Sequence, residues 1–325
     1  MTIFRFGYVA MSIHLQNASP SKTMTFKQFE GIADREAAIR KLERIAKTNV
    51  RNCLRLLRHN AVHGIDFFRF SSRLIPLANH PELEGWDYLK PLKEELLEIK
   101  QFLREHPEMR VDFHPDHFVL LNTKDKHVFH VSMQTLQMHY RLLKGVGISP
   151  KHRCVLHVGG GYNDKEQALE QFIHNWSLIP RHLQEMVILE NDDKIFTAKD
   201  TLYLCEKLGI PLVFDYHHYL ANREEDSELK EEWLRIVETW KLNSLLPVKM
   251  HISSPKSDKD FRAHHDTIDL AMFWEFVEVV NGSVEQIDVM IEAKWKDQAL
   301  FQLMNEVKES KSVHWLNEAS FKVIH

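Results

Sequence analysis

The sequence predicts an α/β fold, a single-domain (β/α)8 barrel of the TIM type, and three observations predict it. Eight short β-branched or aromatic runs recur along the 325 residues. A segment of helical periodicity follows each one. Six of the runs end in His114, His157, Glu190, Asp215, His251 and Glu292, residue types that do acid–base chemistry or hold metals. Strands alternating with helices imply a parallel sheet, and eight such units close more naturally into a barrel than spread into an open sheet.

The first run, IFRFGYVAM, precedes a helix marked by Ala38, Leu42, Ile45, Val50, Leu54 and Leu57, with Asp34 as its N-terminal cap. IDFFRFSS leads to a helix over residues 89–103, and MRVDFHP to one over 135–143. RCVLHVGG precedes a helix over 165–178 opened by Asn163 and Asp164. MVILEN precedes one over 197–208, which Gly209, Ile210 and Pro211 close before PLVFDYHH begins. A helix over 224–242 follows that run, and PVKMHISS and QIDVMIEAK are followed by helices over 268–280 and 297–307. Two loops after strands are long, residues 115–129 and 253–266, and loops there usually carry specificity. The barrel is assigned to residues 1–310 and a C-terminal extension to 311–325.

The net charge of −4 excludes a protein that binds nucleic acid through bulk basicity, so any contact with DNA must come from local positive charge. Cys53, Cys154 and Cys205 are odd in number and form no CxxC or CxxH pattern, which suits a reducing cytoplasm and excludes a thiolate metal site. The apolar N-terminus carries Arg5 inside its run and has no basic leader, so it reads as a first strand rather than a signal peptide. No stretch reaches the ~18 apolar residues of a membrane span. A cytoplasmic protein without membrane contact is expected.

In such a barrel the C-terminal strand ends line the mouth where active sites sit. Alternation places Lys249 with His251, Met290 with Glu292, and Val213 with Asp215 on common faces. A lone histidine at a strand end is more often a hydrogen-bonded structural residue than a ligand, but repeated matching positions favour ligation. Imidazoles mixed with carboxylates and no thiolate suit Mn2+, Zn2+, Fe2+ or Mg2+. With His80, His218 and one of His264 or His265 added from the loops, the groups outnumber the ligands of one ion, and two or three ions are expected. Bridging carboxylates at Glu190 and Glu292 suit the hydrolysis of phosphoesters. Lys249 is either an ion-pair partner of a carboxylate or a functional group. The GGGYND segment after His157 lacks the GK[ST] of a P-loop, so its glycines serve a tight turn or a close approach. Lys256, Lys259 and Arg262, with Arg69, Arg73, Lys294 and Lys296, put cations on the same face.

Taken together, FGYVAMS, RFSSRLIP, FHPDHF, LHVGG, LEND, FDYHH, KMHISS and IEAKWK make the chain resemble the UV damage endonuclease family, related in architecture to the apurinic endonuclease IV class. The resemblance implies a monomeric DNA repair endonuclease with a cluster of up to three Mn2+-type ions, for which Mg2+, Zn2+ or Co2+ are alternatives. It implies a nick on the 5′ side of pyrimidine dimers in double-stranded DNA, leaving 3′-hydroxyl and 5′-phosphate ends. It assigns metal binding to His80, His114, His157, Glu190, Asp215, His218, His251, His264 and Glu292. Lys249 stands where the family has a lysine that can be carboxylated, a catalytic position with Glu190 and Glu292. His117 and Phe118 stand where relatives insert a Gln-Tyr pair into the duplex, and Tyr8 matches a tyrosine of the lesion pocket. Two rival readings are an apurinic-site endonuclease, which would cut abasic DNA well and dimers poorly, and a metal-dependent sugar isomerase or epimerase, which would not bind DNA.

Overall fold

The computed structural model describes residues 1–310 and 313–324. Eight parallel strands form the barrel: β1 (Ile3–Val9), β2 (Phe67–Arg69), β3 (Arg110–Asp112), β4 (Cys154–His157), β5 (Val187–Glu190), β6 (Leu212–Asp215), β7 (Val248–Ile252) and, after an antiparallel ribbon of β8 (Pro255–Ser257) and β9 (Asp260–His264), β10 (Gln286–Ile291). β1 pairs with β10 on one side and β2 on the other. The ring closes between β3 and β4 through a single parallel bridge, Phe113 to Cys154. The predicted barrel is therefore the observed one.

Register sorts each strand into a lumen face and a helix face. Arg5 pairs with Asp288 across β1 and β10, and their side chains join inside the barrel through Arg5 Nε and Nη2, each 2.8 Å from an Asp288 oxygen. Phe4 and Phe6, of opposite parity, point outward and meet Phe273 of the helix Leu270–Val280, with ring centres 6.1 and 5.6 Å apart. The apolar core thus lies mainly between strands and helices, while the lumen is charged.

The lumen floor is an ion network. Arg110 reaches Asp288 at 2.9 Å and Asp112 at 3.2 Å, and Arg153 and Lys249 approach Asp112 at 3.5 and 3.2 Å. Burial pushes the Asp112 carboxyl up, but Arg110, Lys249 and Arg153 outweigh it and hold it down to about 2. Buried charges are stable only in such company.

The caps expected from sequence are in place. Asp34 accepts the backbone N–H groups of Glu36 and Ala37 at the start of Arg35–Val62, Asp164 caps Lys165–Trp176, and Gly209 ends Ala198–Leu208 at φ 68°. Three expectations change. The helix expected over 135–143 runs Lys126–Gly145, because Asp125 caps it well before its apolar stripe begins. The segment 224–242 contributes Leu229–Asn243, preceded by a separate helix Tyr216–Asn222. The loop 253–266 is largely the β8–β9 ribbon.

Of the expected extension 311–325, residues 311, 312 and 325 lie outside the described residues; the rest is a hairpin of β11 (Val313–Asn317) and β12 (Ser320–Val323). β12 pairs antiparallel with the first half of β1, and Phe321 is fully buried against Phe4, Phe6 and Trp315. The segment is thus built into the barrel wall. Among the described residues no helix is long and apolar enough to cross a membrane.

Candidate metal centre

Glu190 is the last residue of β5 and Asp215 the last of β6, and both are buried in the mouth of the barrel. His251 lies on β7 directly beside Asp215, as their strand pairing requires. Around Glu190 two groups form: His114, Glu190 and His251, and Glu190, Asp215 and His218, each with ligand atoms within 4.8 Å of one another. Glu190 belongs to both. Its Oε1 lies 2.6 Å from His251 Nδ1 and its Oε2 2.8 Å from His114 Nε2.

Three histidines share one orientation. Nδ1 of His114 donates to the Pro115 carbonyl at 3.0 Å, that of His218 to the Asn191 carbonyl at 3.0 Å, and that of His264 to the Glu292 carbonyl at 2.7 Å. A carbonyl can only accept, so each Nδ1 carries a proton, and Nε2 is the nitrogen that the backbone leaves free for another partner. At His114 this is the arrangement that orients an imidazole ligand toward a metal, whereas at His218 the same Nδ1 is the nitrogen that approaches Asp215 and Glu190, at 3.7 and 3.8 Å. His114 Nε2 faces Glu190 Oε2 across 2.8 Å, a contact that a proton or a cation must bridge.

The electrostatics point the same way. Burial pushes the Glu190 carboxyl up, but His251 and His157, with hydrogen bonds from His114 and His251, hold it well below the usual range. Asp215 is raised to about 7 by burial, with Glu190 and Glu292 adding to the effect. Burial opposes the charge on His218, yet Asp215, Glu190 and Glu292 carry it up to about 9. Carboxylates and imidazoles thus act on one another's charge throughout the buried mouth. Asp215 Oδ2, His251 Nε2 and His157 Nδ1 are buried without a hydrogen-bond partner in the protein. These orphaned atoms and the nitrogen–oxygen donor set fit divalent cations, and the three cysteines are buried and free.

The remaining expected residues sort by distance from this centre. His157 Nε2 lies 3.6 Å from Glu190 Oε2, and Glu292 joins through His251 at 3.1 Å while Arg69 holds its Oε1 at 2.5 Å. Lys249 is fully buried one strand repeat below His251, and burial, reinforced by Arg110 and Arg69 against the pull of Asp112, draws its amine down to about 8. His80 stands outside both groups. Its ring stacks on Phe26 at 3.8 Å and its Nδ1 accepts the Glu82 N–H at 3.3 Å, leaving Nε2 as its second site. Between the adjacent pair, His264 has the ligand orientation, while His265 is exposed and its Nδ1 accepts the Thr267 N–H.

Tyr8 departs from expectation. It shares the parity of Phe4 and Phe6, so it points away from the lumen, fully buried, with its hydroxyl donating to Asn60 at 2.6 Å. No surface of Tyr8 is open to a base in this conformation. His117 and Phe118 are exposed at the tip of the β3 loop. Lys256, Lys259 and Arg262 are exposed on the β8–β9 ribbon, where Lys256 pairs with Asp260 at 3.1 Å and Arg262 faces Asp193 at 3.9 Å.

Two supporting residues went unnoticed in the sequence. Asn191 exchanges hydrogen bonds of 2.9 Å with both backbone groups of Asp215, and its place beside Glu190 was the available signal. His217 places Nδ1 2.7 Å from Ser253 Oγ and donates from Nε2 to the Phe261 carbonyl at 2.6 Å, so both nitrogens are used and it braces the ribbon instead of ligating.

Comparison with known proteins places this site in context. The family model described as UV-endonuclease UvdE matches residues 4–322. The UV DNA damage endonuclease of Halalkalibacterium halodurans is 56% identical over 306 residues, covering 94% of each chain. That of Bacillus cereus strain B4264 is 38% identical over 317 residues, covering 98% of each. The crystal structure of SacUVDE superimposes with a TM-score of 0.80 at 30% identity, covering 94% of this chain and 98% of that one. Endonuclease IV from Thermus thermophilus, with a TM-score of 0.54 at 12% identity over 93% of this chain and 99% of that one, shares the fold alone. A match over nearly the whole chain, and relatives well above 30% identity, carry the conclusion: this chain belongs to the UV-endonuclease UvdE family.

Proposed function

We propose that this chain is a DNA repair endonuclease that nicks the phosphodiester on the 5′ side of UV photolesions in duplex DNA, leaving 3′-hydroxyl and 5′-phosphate ends. The observation that carries the reading is the shared position of Glu190, a carboxylate common to two ligand groups in the mouth of a barrel of this family. His114, His157, Asp215, His218, His251, His264 and Glu292 would hold two or three divalent ions with it, with His80 as a further ligand through Nε2. Bound there, such ions supply an activated water and neutralise charge on the phosphate.

The protein's own part is orientation. Backbone carbonyls aim three imidazoles, Asn191 fixes Asp215, and Arg69 holds Glu292 against the mouth. The exposed Phe118 ring can stack where damaged bases leave the helix, with His117 beside it as a hydrogen-bonding group. Lys256, Lys259 and Arg262 would contact phosphates. Lys249 is proposed to be carboxylated, its amine adding CO2 and releasing a proton, which an acid-labile mass increase on the intact protein would reveal.

The test is a nicking assay on 5′-labelled duplexes with a defined pyrimidine dimer, an abasic site or no damage, with Mn2+ or EDTA. A single metal-dependent nick beside the dimer is expected. Efficient cutting only of the abasic duplex would replace this reading with an apurinic-site nuclease.

A further inference from the structure

The segment GGGYND, from Gly159 to Asp164, takes no part in the ligand groups, yet it holds an aromatic ring in an unusual state. Tyr162 has φ 47° and the next residue, Asn163, φ 66°, a left-handed pair that L side chains adopt at a cost. The ring does not offset that cost by burial, since Tyr162 is 50% exposed. It lies over the Gly160 backbone, where an added Cβ would come within 3.0 Å of Tyr162 Cζ. Strain without burial is an outlier that calls for a functional reason.

The same loop is fastened to its neighbour. Asn122, fully buried, donates from Nδ2 to the Gly160 carbonyl at 2.7 Å and accepts the Gly160 N–H at 3.2 Å. Gly159, at φ 126°, makes room for it, because a Cβ there would collide with Asn122 Oδ1. Asn175 donates to the carbonyls of Leu121 and Thr123 at 2.7 and 2.8 Å, pinning the same stretch from below. This stretch is the base of the β3 loop whose tip is Phe118. Two exposed aromatics on loops of adjacent strands therefore share one buried clamp.

We propose that Tyr162 is a second base-stacking, specificity-determining residue for the DNA substrate, and that Asn122 is the positioning residue that holds its loop and the Phe118 loop as one rigid edge. The inference rests on the reading of the chain as a nuclease for damaged DNA. Aromatic faces bind unstacked bases without regard to sequence, and a rigid edge spares the ordering that a mobile loop would lose on binding.

The experiment measures binding of metal-loaded protein to a dimer-containing duplex made uncleavable by a methylphosphonate beside the lesion, with 2-aminopurine opposite the dimer, against the undamaged duplex. Tyr162→Phe keeps the ring and should keep wild-type affinity. Tyr162→Gly should lose about tenfold in affinity for the lesion duplex, the scale of one stacked base, and show a smaller 2-aminopurine signal. Its thermal midpoint should stay level or rise, because glycine accepts φ 47° freely. Asn122→Ala should weaken lesion binding in the same way as Phe118→Ala and Tyr162→Gly together. Wild-type affinity in Tyr162→Gly, with Phe118→Ala impaired, would overturn the inference and leave the proposed function standing. A loss of equal size on the undamaged duplex would also overturn it. If the wild-type protein itself binds both duplexes alike, the functional reading falls and the inference with it.

Discussion

Lys249 Nζ stands 3.2 Å from Asp112 Oδ2 inside the barrel, with neither side chain exposed to solvent. Arg110 and Arg153 converge on the same carboxylate, and Arg110 also reaches Asp288 at 2.9 Å, so Asp112 is the shared partner of three basic side chains beneath the metal centre. With Lys249 as its free amine, Asp112→Asn would leave Lys249 and Arg153 without a carboxylate partner in a buried site, while Arg110 keeps Asp288. The expected cost is about 3 kcal/mol of folding stability, the scale for breaking a buried pair, and urea unfolding followed by tryptophan fluorescence would measure it.

The pH dependence follows from the same residue. Its folded-state carboxyl, held down to about 2, lies below the ordinary value of 3.8, so the unfolded chain binds the proton more readily. The stabilisation is complete above about pH 4 and is lost as pH falls toward 2, amounting to about 2 kcal/mol. Wild-type urea midpoints should fall across that window, and those of Asp112→Asn should lack this component. Equal slopes in both proteins would rule out Asp112 as the source.

Removing the carboxylate common to both ligand groups should disable both at once. Added Mn2+ should stabilise the wild-type protein by about 2.7 kcal/mol at a hundredfold excess over Kd, read as a rise in melting temperature. Glu190→Gln should abolish that rise and lower incision at least ~100-fold, more than the loss typical of residues that merely support ligands. A retained metal-induced rise in the variant would show that the groups do not depend on Glu190.

The ribbon cations are not equivalent. Lys256 is paired with Asp260 and Arg262 faces Asp193, whereas Lys259 has no ion pair among the described residues. Lys259→Ala should therefore reduce the slope of log affinity against log salt by about 0.9, one phosphate contact. Lys256→Ala should change it less. Filter binding across a salt series would separate the two.

Much of this was legible in the sequence because strand ends need no loop geometry to be placed. His114, His157, Glu190, Asp215 and His251 sit in the mouth simply because they end or nearly end parallel strands of matched register. The position of Tyr8 off the lumen is legible too, since Arg5 marks the lumen parity of β1 and Tyr8 has the opposite parity. The choice between His264 and His265 depended on the twist and register of a ribbon that reads as loop in one dimension. The clamp at Asn122 was hidden because its partner is a backbone thirty-eight residues away, and no side-chain pattern announces such a contact.

The pairing of β12 with β1 has a consequence for the making of the protein. Lys322 stands opposite Ile3, so the edge of β1 is covered by a strand far away in the sequence. Contacts of such long sequence separation slow folding and leave unpaired strand edges exposed in the meantime. Without the β11–β12 hairpin the barrel would present a bare strand edge and the apolar faces of Phe4 and Phe6, a surface that favours aggregation.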